Sequence, residues 1–450
     1  MSNKQKSVPT SRFSRAARLG SLAGKVAGNM LFEGTKAWAT GKQTSRQELL
    51  LQPKNIQRFA EQLANLRGAA MKLGQLLSMD SGELLTPELS AILARLRAEA
   101  TPMPQKQLVK VMREHWGDAW LEQLSHFELR PFAAASIGQV HIAYRDSGEK
   151  LAVKVQYPGI AKGIASDVDN LAYLLKLSGL LPKEVEIQPL IDEAKQQLIN
   201  EADYELEANY LKRYSECLKG DDNYLIPNVV DSLSSSQVLV MSFVEGQELD
   251  ELANTGQELD ELANTEQALR NKAVEQLLSL FLRELFSFKL VQTDPNFANY
   301  QYQIDNQRLV LLDFGATREL PQHISDGYLQ LLSAAYNNDR AGVATAAQQI
   351  GYFQQGLAQE YIDNVVDIFL LACEPLRHQG EYDFANSDLP KRIKELGLKM
   401  STASEHWHAP PVDALFVHRK LAGLFLIAAK LGAKVNVGSI FKDFEAQSEK

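Results

Sequence analysis

KLVQTDPNFANYQYQIDNQRLVLLDFG, residues 289–315, places an acid, an amide and a second acid in an order that decides how the chain is read. Asp294 is followed five residues later by Asn299. A short strand, a turn at Asp305–Asn306 and the apolar strand RLVLL then lead to Asp313-Phe314-Gly315. A hairpin between Asn299 and Asp313 folds the two polar clusters back onto each other, as a divalent metal bridging phosphates requires. Asn299 and Asp313 are the expected ligands of Mg2+, and Asp294 has the spacing of a base or of a residue that orients the nucleophile. A lone Asp-Phe-Gly occurs by chance in many chains, so the weight rests on what stands upstream.

Upstream, FELRPFAAASIGQVHIAYRDSGEKLAVKVQYP (127–158) reads as a strand, a loop, a strand ending at Tyr144, a turn at Asp146–Gly148 and a strand carrying Lys154. One long helix is expected over IQPLIDEAKQQLINEADYELEANYLKRYSE (187–216), with Asp203 and Glu207 four apart on one face. VLVMSFVEG (238–246) is an apolar strand running into a glycine hinge, and Met241 and Phe243 within it are expected to contact a nucleotide. This is the order of a protein-kinase small lobe. Lys154 would grip the α and β phosphates of ATP or ADP, aligned by an acid from the helix. The phosphate loop is then Ala133, Ala134, Ala135 and Ser136, followed by the single Gly138. Glycine reaches φ > 0 at little cost, whereas alanine there costs on the order of 1 kcal/mol. The alanines are therefore expected to hold the loop in a different shape and to restrain the allowed nucleotide and acceptor.

These residues resemble the UbiB/AarF/ADCK family of atypical kinases from about residue 55 to about residue 440. The likeness is carried by Lys72-Leu-Gly-Gln75, the Ala133–Gly138 loop, Ala152-Val-Lys154, Glu201-Ala-Asp203-Tyr204 with Glu207, Gln292-Thr-Asp-Pro-Asn296 through Asn299, and Asp313-Phe-Gly315. The resemblance implies that Lys154 pairs with Glu207. It also implies that Lys72, with Gln75, reaches from a helical extension into the cleft toward Glu201 and Asp203, as a regulatory and catalytic element. It implies Mg-dependent ATPase activity in support of ubiquinone or related isoprenoid-lipid biosynthesis, at or near a membrane. Gln292-Thr293 stands where ordinary kinases have His-Arg, and no Ala-Pro-Glu follows Asp313, so docking of a peptide substrate is not supported.

The rest of the chain fits that frame. Its 450 residues, 45% hydrophobic, suffice for two or three domains with real cores, and a net charge of −9 argues against general nucleic-acid binding. Cys217 and Cys373 make no metal or disulfide pattern. Residues 1–50 carry nine Lys and Arg against two Glu, +7, leaving −16 for the remainder. That arm reads equally as a contact for an anionic membrane or partner helix and as a solvated leader. In NIQRFAEQLANLRGAAMKLGQLLSM (55–79) an apolar helical stripe leaves Gly68, Lys72 and Gln75 on another face, suited to a polar cleft or to plain solvent. Further helices are expected at 105–125, 327–346, 358–373 and 411–432. LAGLFLIAAKLGAKV (421–435) is interrupted by Lys430 and reads as a buried helix rather than a span, and no secretory signal opens the chain. His406 and His408 lack the partners of a metal site.

GQELDELANT occurs at 246–255 and again, identically, at 256–265. Were both copies helical, ten residues of rotation would turn their leucines about 80° apart, so one copy is expected to lengthen an exposed helix start or loop. The expected architecture is α+β, a two-lobed protein-kinase-like fold with a helical N-terminal extension and a mostly helical large lobe. Its parts are a basic arm (1–54), the extension (55–126), a small lobe (127–245) and a large lobe (246–450). The expected activity is an atypical kinase or ATPase using ATP/ADP and Mg2+. The expected partners are an isoprenoid lipid or quinone precursor, quinone-biosynthesis proteins and a second copy of the chain, in the cytoplasm and peripheral at the inner membrane face. A small-molecule or lipid kinase, and a nucleotide-gated scaffold with little turnover, are the alternatives.

Overall fold

The computed structural model describes residues 102–135, 137–178, 188–253, 260–353, 356–403 and 411–448. The basic arm, Lys72 and Gln75, Ser136 and His406–His408 lie outside them. The fold is α+β, and the chain divides into two units. One takes the chain up to Asn209 together with Asn228–Phe243, and the other takes Tyr210–Pro227 together with Val244–Lys450.

The first unit is built on an antiparallel sheet. β1 (His126–Phe127) and β2 (Ala133–Ala134) both pair with β3 (Gly138–Tyr144), which pairs with β4 (Lys150–Gln156), and β4 pairs with β5 (Val238–Ser242). Side chains alternate across a strand, so Leu151, Val153 and Val155 of β4 point one way and Ala152, Lys154 and Gln156 the other. The first set meets α1 (Gln105–Trp116), whose Leu108, Val111 and Met112 recur at helical spacing and are fully buried against Val238 and Val240 as well. α1 stops at Trp116, where Gly117 turns at φ 82°, instead of running to residue 125.

Two sequence expectations need correction here. The long helix over 187–216 is two helices, α3 (Gln188–Glu201) and α4 (Tyr204–Cys217), and a further helix, α2 (Ile160–Ser178), packs on α3. The break falls where the Asp203 carboxylate accepts the backbone N–H groups of Glu205 (3.1 Å) and Leu206 (3.0 Å), capping α4. Asp203 is thus an exposed cap rather than a companion of the buried Glu207 on one helical face. Second, the segment expected to be a loop begins as a strand, a shape in which alanine needs no positive φ. Ala133 and Ala134 form β2 opposite Val140 and Gln139, and the Ala135 N–H donates to the Gly138 carbonyl (2.9 Å). Among the described non-glycine residues only Lys289, Gln307 and Asn338 have positive φ. The hairpin needs glycine for room instead, since a Cβ on Gly138 would lie 2.5 Å from the Val155 carbonyl oxygen and 2.7 Å from the Tyr204 hydroxyl.

The second unit is mostly helical and, among the described residues, holds three small sheets, one of them the short pairing of Tyr382–Asp383 with Lys434–Val435. α5 (Asp260–Arg283) ends in a π-helical turn, Glu284–Phe288, closed by Lys289 at φ 52°. β6 (Leu290–Gln292) pairs antiparallel with β9 (Thr317–Glu319). β7 (Tyr300–Gln303) and β8 (Arg308–Leu311) form the expected hairpin, flanked by Gln247–Glu248 on β7 and Tyr224–Leu225 on β8. The helix expected at 327–346 is α6 (Gln322–Tyr336) and α7 (Arg340–Ile350), parted by Asn338 at φ 55° and by Asp339, whose carboxylate caps the Gly342 N–H. α8 (Gln359–Ala372), α9 (Leu389–Ala403), α10 (Val412–Lys430) and α11 (Val437–Ser448) complete the unit. The apolar stretch from residue 421 falls largely in α10, which buries most of its circumference and leaves one face, with Ala422, Leu426 and Lys430, exposed, and no helix among the described residues is long and apolar enough to cross a membrane. Both cysteines are free thiols; burial pushes that of Cys373 up to about 12, the behaviour of a core residue.

The identical decapeptides fold differently. In the first copy Gln247–Glu248 is a strand, Glu251–Ala253 a 3-10 turn, and Leu249 and Leu252 are buried. In the second, the backbone from Asp260 onward is already α5.

Candidate functional site

In the first unit Lys154 stands at the centre of β4, opposite Val140 on β3 and Leu239 on β5. Its alternation puts the side chain on the sheet face that meets α4. There both oxygens of Glu207 accept from the ammonium, at 2.7 and 2.8 Å, and the Tyr204 ring, one turn earlier, lies 5.2 Å from the nitrogen. Lysine and glutamate side chains are 7% and 1% exposed. The pair named in the sequence is therefore in contact, and it is buried. Next to it Gln156 donates to the Ala202 carbonyl (2.8 Å), tying the turn between α3 and α4 to the same strand. Glu201 is half-buried and Asp203 exposed. Met241 is buried in β5 opposite Ala152. Phe243 is half-buried; its N–H donates to the Lys150 carbonyl, its ring packs edge-on to Phe132, and the Lys150 ammonium lies 3.8 Å above it.

The opposite sheet face holds a buried polar chain that the sequence reading missed. The Met103 N–H donates to Gln139 Oε1 (2.9 Å), the Gln139 amide meets His141 Nε2 (2.8 Å), and His141 Nδ1 meets the Glu128 carbonyl (2.8 Å). Burial pulls the imidazole pKa below its ordinary value, and in the neutral ring Nδ1–H donates while Nε2 accepts.

In the second unit β6 delivers Gln292 and Thr293 to the loop that carries Asp294. Thr293 donates twice to the Ala316 carbonyl, through N–H (3.0 Å) and hydroxyl (2.7 Å). Asn299 ends a single 3-10 turn, Phe297–Asn299, and its Nδ2 donates to the Asp294 carbonyl (2.8 Å). The β7–β8 hairpin brings the far end of the motif back, pairing Tyr300 with Leu311, and the Leu312 N–H donates to the Asn299 carbonyl (3.1 Å). Asp313 follows directly, and its Oδ1 accepts the Gly315 N–H (3.0 Å). Asn299 and Asp313 thus emerge from adjacent strand ends. With its Nδ2 turned to the backbone, the Asn299 amide presents oxygen on its other side. Together with a carboxylate this is an all-oxygen donor pair, the chemistry of Mg2+, which takes one or two protein oxygens and fills its shell with phosphate and water. Among the described residues no group of three or more His, Cys, Asp or Glu side chains is arranged as a metal cage.

The loop is held from behind by α10, which the sequence reading took only as a buried helix. Arg419 Nη2 donates to Asp294 Oδ1 at 2.8 Å, with the arginine side chain 5% exposed. A Cβ on Gly423 would lie 2.0 Å from Pro295 Cγ, so only glycine lets the loop close onto the helix. Lys420 reaches Glu284 Oε2 (3.3 Å), the Tyr300 hydroxyl (3.0 Å) and Gln292 Oε1 (3.3 Å), while the Tyr214 hydroxyl donates to Glu284 Oε1 (2.9 Å). Burial pulls the Lys420 ammonium down, but Glu284 and Tyr300 outweigh it, so its pKa ends raised and the charge is kept. Burial pushes Glu284 up against the pull of Lys420; with the ammonium at 3.3 Å and a phenol donating to it, the ion pair is the state the geometry supports. The signal was present: Arg419-Lys420 is a dibasic pair inside LFVHRKLAGLFLI, and charges in an apolar helix require partners.

Comparison with known proteins gives the family. Residues 95–347 match the ABC1 atypical kinase-like domain. The chain is 37% identical over 446 residues to the atypical kinase COQ8, mitochondrial, of Saccharomyces cerevisiae, covering 98% of this chain and 86% of that one. It is 36% identical to the atypical kinase COQ8B, mitochondrial, of Danio rerio, covering 98% and 69%. Among solved structures, Rv3197 of Mycobacterium tuberculosis, described as a complex with erythromycin, is similar with a TM-score of 0.59 and 23% identity, covering 88% of this chain and 96% of that one, a likeness of fold. With a domain match over more than half the chain and relatives alike over nearly all of it, the chain belongs to the ABC1 atypical kinase-like family.

Proposed function

We propose that the chain binds ATP or ADP with Mg2+, hydrolyses ATP, and through that cycle supports the biosynthesis of ubiquinone or a related isoprenoid quinone. The observation that carries this reading is the Lys154–Glu207 pair. A buried ion pair stabilises a fold no better than apolar residues of the same volume, so a lysine held by both carboxylate oxygens inside a Val- and Leu-rich sheet points to chemistry rather than to stability. An ammonium aligned in this way is suited to phosphate oxygens. Asn299 and Asp313 would hold the metal, which when bound would neutralise phosphate charge. Asp294 has one carboxylate oxygen on Arg419, which favours orienting a nucleophile over taking its proton and fits hydrolysis better than transfer to a peptide. The link to quinones rests on the UbiB/ADCK resemblance and on relatives of the COQ8 name.

The deciding experiment is quinone profiling of a strain deleted for the chain and complemented with wild type or with Asp313→Asn. Wild type restores the quinone and Asp313→Asn does not. Equal profiles from the two would end the reading.

Membrane contact belongs to the same proposal. Residues 1–50, at +7, would meet an anionic membrane surface. Co-sedimentation with anionic liposomes that falls with salt, and is lost on deleting that arm, supports the contact; binding indifferent to the deletion refutes it.

A further inference from the structure

We infer that Gln292 is a positioning residue for the Asp294–Asn299 loop, and that the buried Lys420–Glu284 pair fixes its amide in one of two orientations. The inference rests on the nucleotide reading above and concerns how that loop is held.

Gln292 grips the backbone of Asp294 at both ends. Its Oε1 accepts the Asp294 N–H (3.2 Å) and its Nε2 donates to the Asp294 carbonyl (3.1 Å). That carbonyl is the one that accepts Asn299 Nδ2, so the side chain of Gln292 sets the main chain on which the metal-facing amide of Asn299 is hung. An amide is nearly symmetric in shape and can sit either way round. The reversed orientation would set Nε2 against the Asp294 N–H and leave two carbonyls facing each other. Lys420 removes the choice. Its ammonium lies 3.3 Å from Gln292 Oε1 and has only hydrogens to offer, so oxygen must face it. Lys420 is kept there, charged, by Glu284 and the Tyr300 hydroxyl. Glu284 is presented by the π-helical turn that ends α5, and its Oε1 also faces the Gln292 N–H at 3.5 Å. Single π turns inside helices are frequent at functional sites. Gln292 and Lys420 are 4% and 1% exposed, so water does not substitute for either contact. Gln292 stands where ordinary kinases carry histidine, and Lys420 lies outside the 95–347 match, which leaves the pairing of the two unassigned by the family domain.

The test uses the full chain, ATP with Mg2+ for turnover, and Mn2+ with ATP for paramagnetic resonance. Gln292→Glu preserves shape and still accepts from Lys420 and the Asp294 N–H, but it has no hydrogen for the Asp294 carbonyl. It is expected to keep the denaturation midpoint and the KM for Mg-ATP while lowering kcat roughly 10- to 100-fold, the scale of small misplacements in a site. Its Mn2+ spectrum is expected to differ from wild type as Asn299 loses its anchor. Lys420→Arg, which keeps a donor for both Glu284 and Gln292, is expected to restore turnover relative to Lys420→Met. Wild-type kcat and an unchanged Mn2+ spectrum in Gln292→Glu would overturn the inference, as would losses that merely follow the folded fraction across the series. If wild type itself turns over no ATP, the nucleotide reading fails on that ground, and the inference is still decided by whether Mn2+ binding changes between wild type and Gln292→Glu.

Discussion

Among the described residues each unit buries one lysine against one glutamate, and the two contacts are built to different ends. Lys154 and Glu207 meet head-on, both carboxylate oxygens on one ammonium, with a tyrosine ring beside them. Lys420 and Glu284 meet at 3.3 Å within a web of two phenols and an amide. The first arrangement is a bidentate contact of one ammonium on one carboxylate, a geometry suited to sharing the ammonium with a phosphate. The second is a web in which phenols and an amide join the ion pair, and it holds a loop still. Burial alone does not tell a reactive lysine from a structural one; the geometry and kind of its partners do.

The largest effect that would sharpen this comparison is on stability. Lys420→Met leaves Glu284 buried and uncompensated and is expected to cost about 3–5 kcal/mol, read as a drop in the urea midpoint. A midpoint close to wild type would mean that the network is not closed as described. Next come the double replacements. Lys154→Met/Glu207→Leu removes both charges of the buried bidentate contact together, so stability is expected to return to wild type or exceed it by about 1–4 kcal/mol, while Mg-nucleotide binding is lost. Lys420→Met/Glu284→Leu is expected to remain destabilised, because Tyr214, Tyr300 and Gln292 still have polar atoms to satisfy. Equal recovery in the two doubles would erase the distinction between pair and network.

A third effect comes from pH. His418 precedes Arg419 and Lys420 on α10, half-buried, and its Nε2 meets the Tyr352 hydroxyl (2.7 Å) and the Tyr328 hydroxyl (3.2 Å). Burial pulls the ring down to about 4. An unfolded imidazole titrates near 6.5, so on acidification the unfolded chain takes up the proton first. Stability present above pH 6.5 is therefore lost as pH falls toward 4, by up to about 3 kcal/mol, and less in so far as water reaches the ring. The check is the urea midpoint at neutral and acid pH in wild type and His418→Gln; identical pH dependence in the two would remove the histidine from the account. The smallest expected effect on the fold is that of Asp313→Asn, which keeps shape and the Gly315 contact. Its consequence is confined to binding, and undiminished Mg-dependent nucleotide affinity by calorimetry would unseat Asp313 as a ligand.

The two pairs also differ in how well they could be read. Lys154 sits in a strand of alternating apolar residues and Glu207 in a helix of acids, and the order of elements brings them together in any chain with this topology. Asp294, Asn299 and Asp313 are legible for the same reason, since one hairpin joins them within about twenty residues. Lys420 is 128 positions from Gln292 and 136 from Glu284, and no local pattern states that separation. The π turn that aims Glu284 is equally silent, because it differs from the α-helix by one residue of register. Where the reading went wrong, short polar residues decided. Asp203 and Asp339 cap new helices within stretches whose apolar spacing looked continuous. The cost of alanine at positive φ told only that the loop departs from a glycine-rich shape; that the departure is a strand, with Ala133 and Ala134 paired to β3, needs the register of the sheet.

The duplicated decapeptide leaves the chain with an ambiguity that sequence cannot remove. The β7 edge, at Gln301 and Tyr302, recognises Gln247 and Glu248 through main-chain pairing, and Gly246 is needed because a Cβ there would lie 2.9 Å from that of Gln301. Gly256, Gln257 and Glu258 offer the same edge the same residues in the same order. What selects the first copy is downstream: if the second were captured instead, Asp260–Thr265 would be withdrawn from α5 and ten surplus residues would have to loop out ahead of the strand. During folding the edge therefore faces two chemically indistinguishable suitors, and the winner is chosen by the length of the helix that follows. Deleting residues 246–255 and deleting residues 256–265 produce one and the same polypeptide. In that polypeptide the edge has a single candidate, and the surviving copy must serve as strand and helix start together.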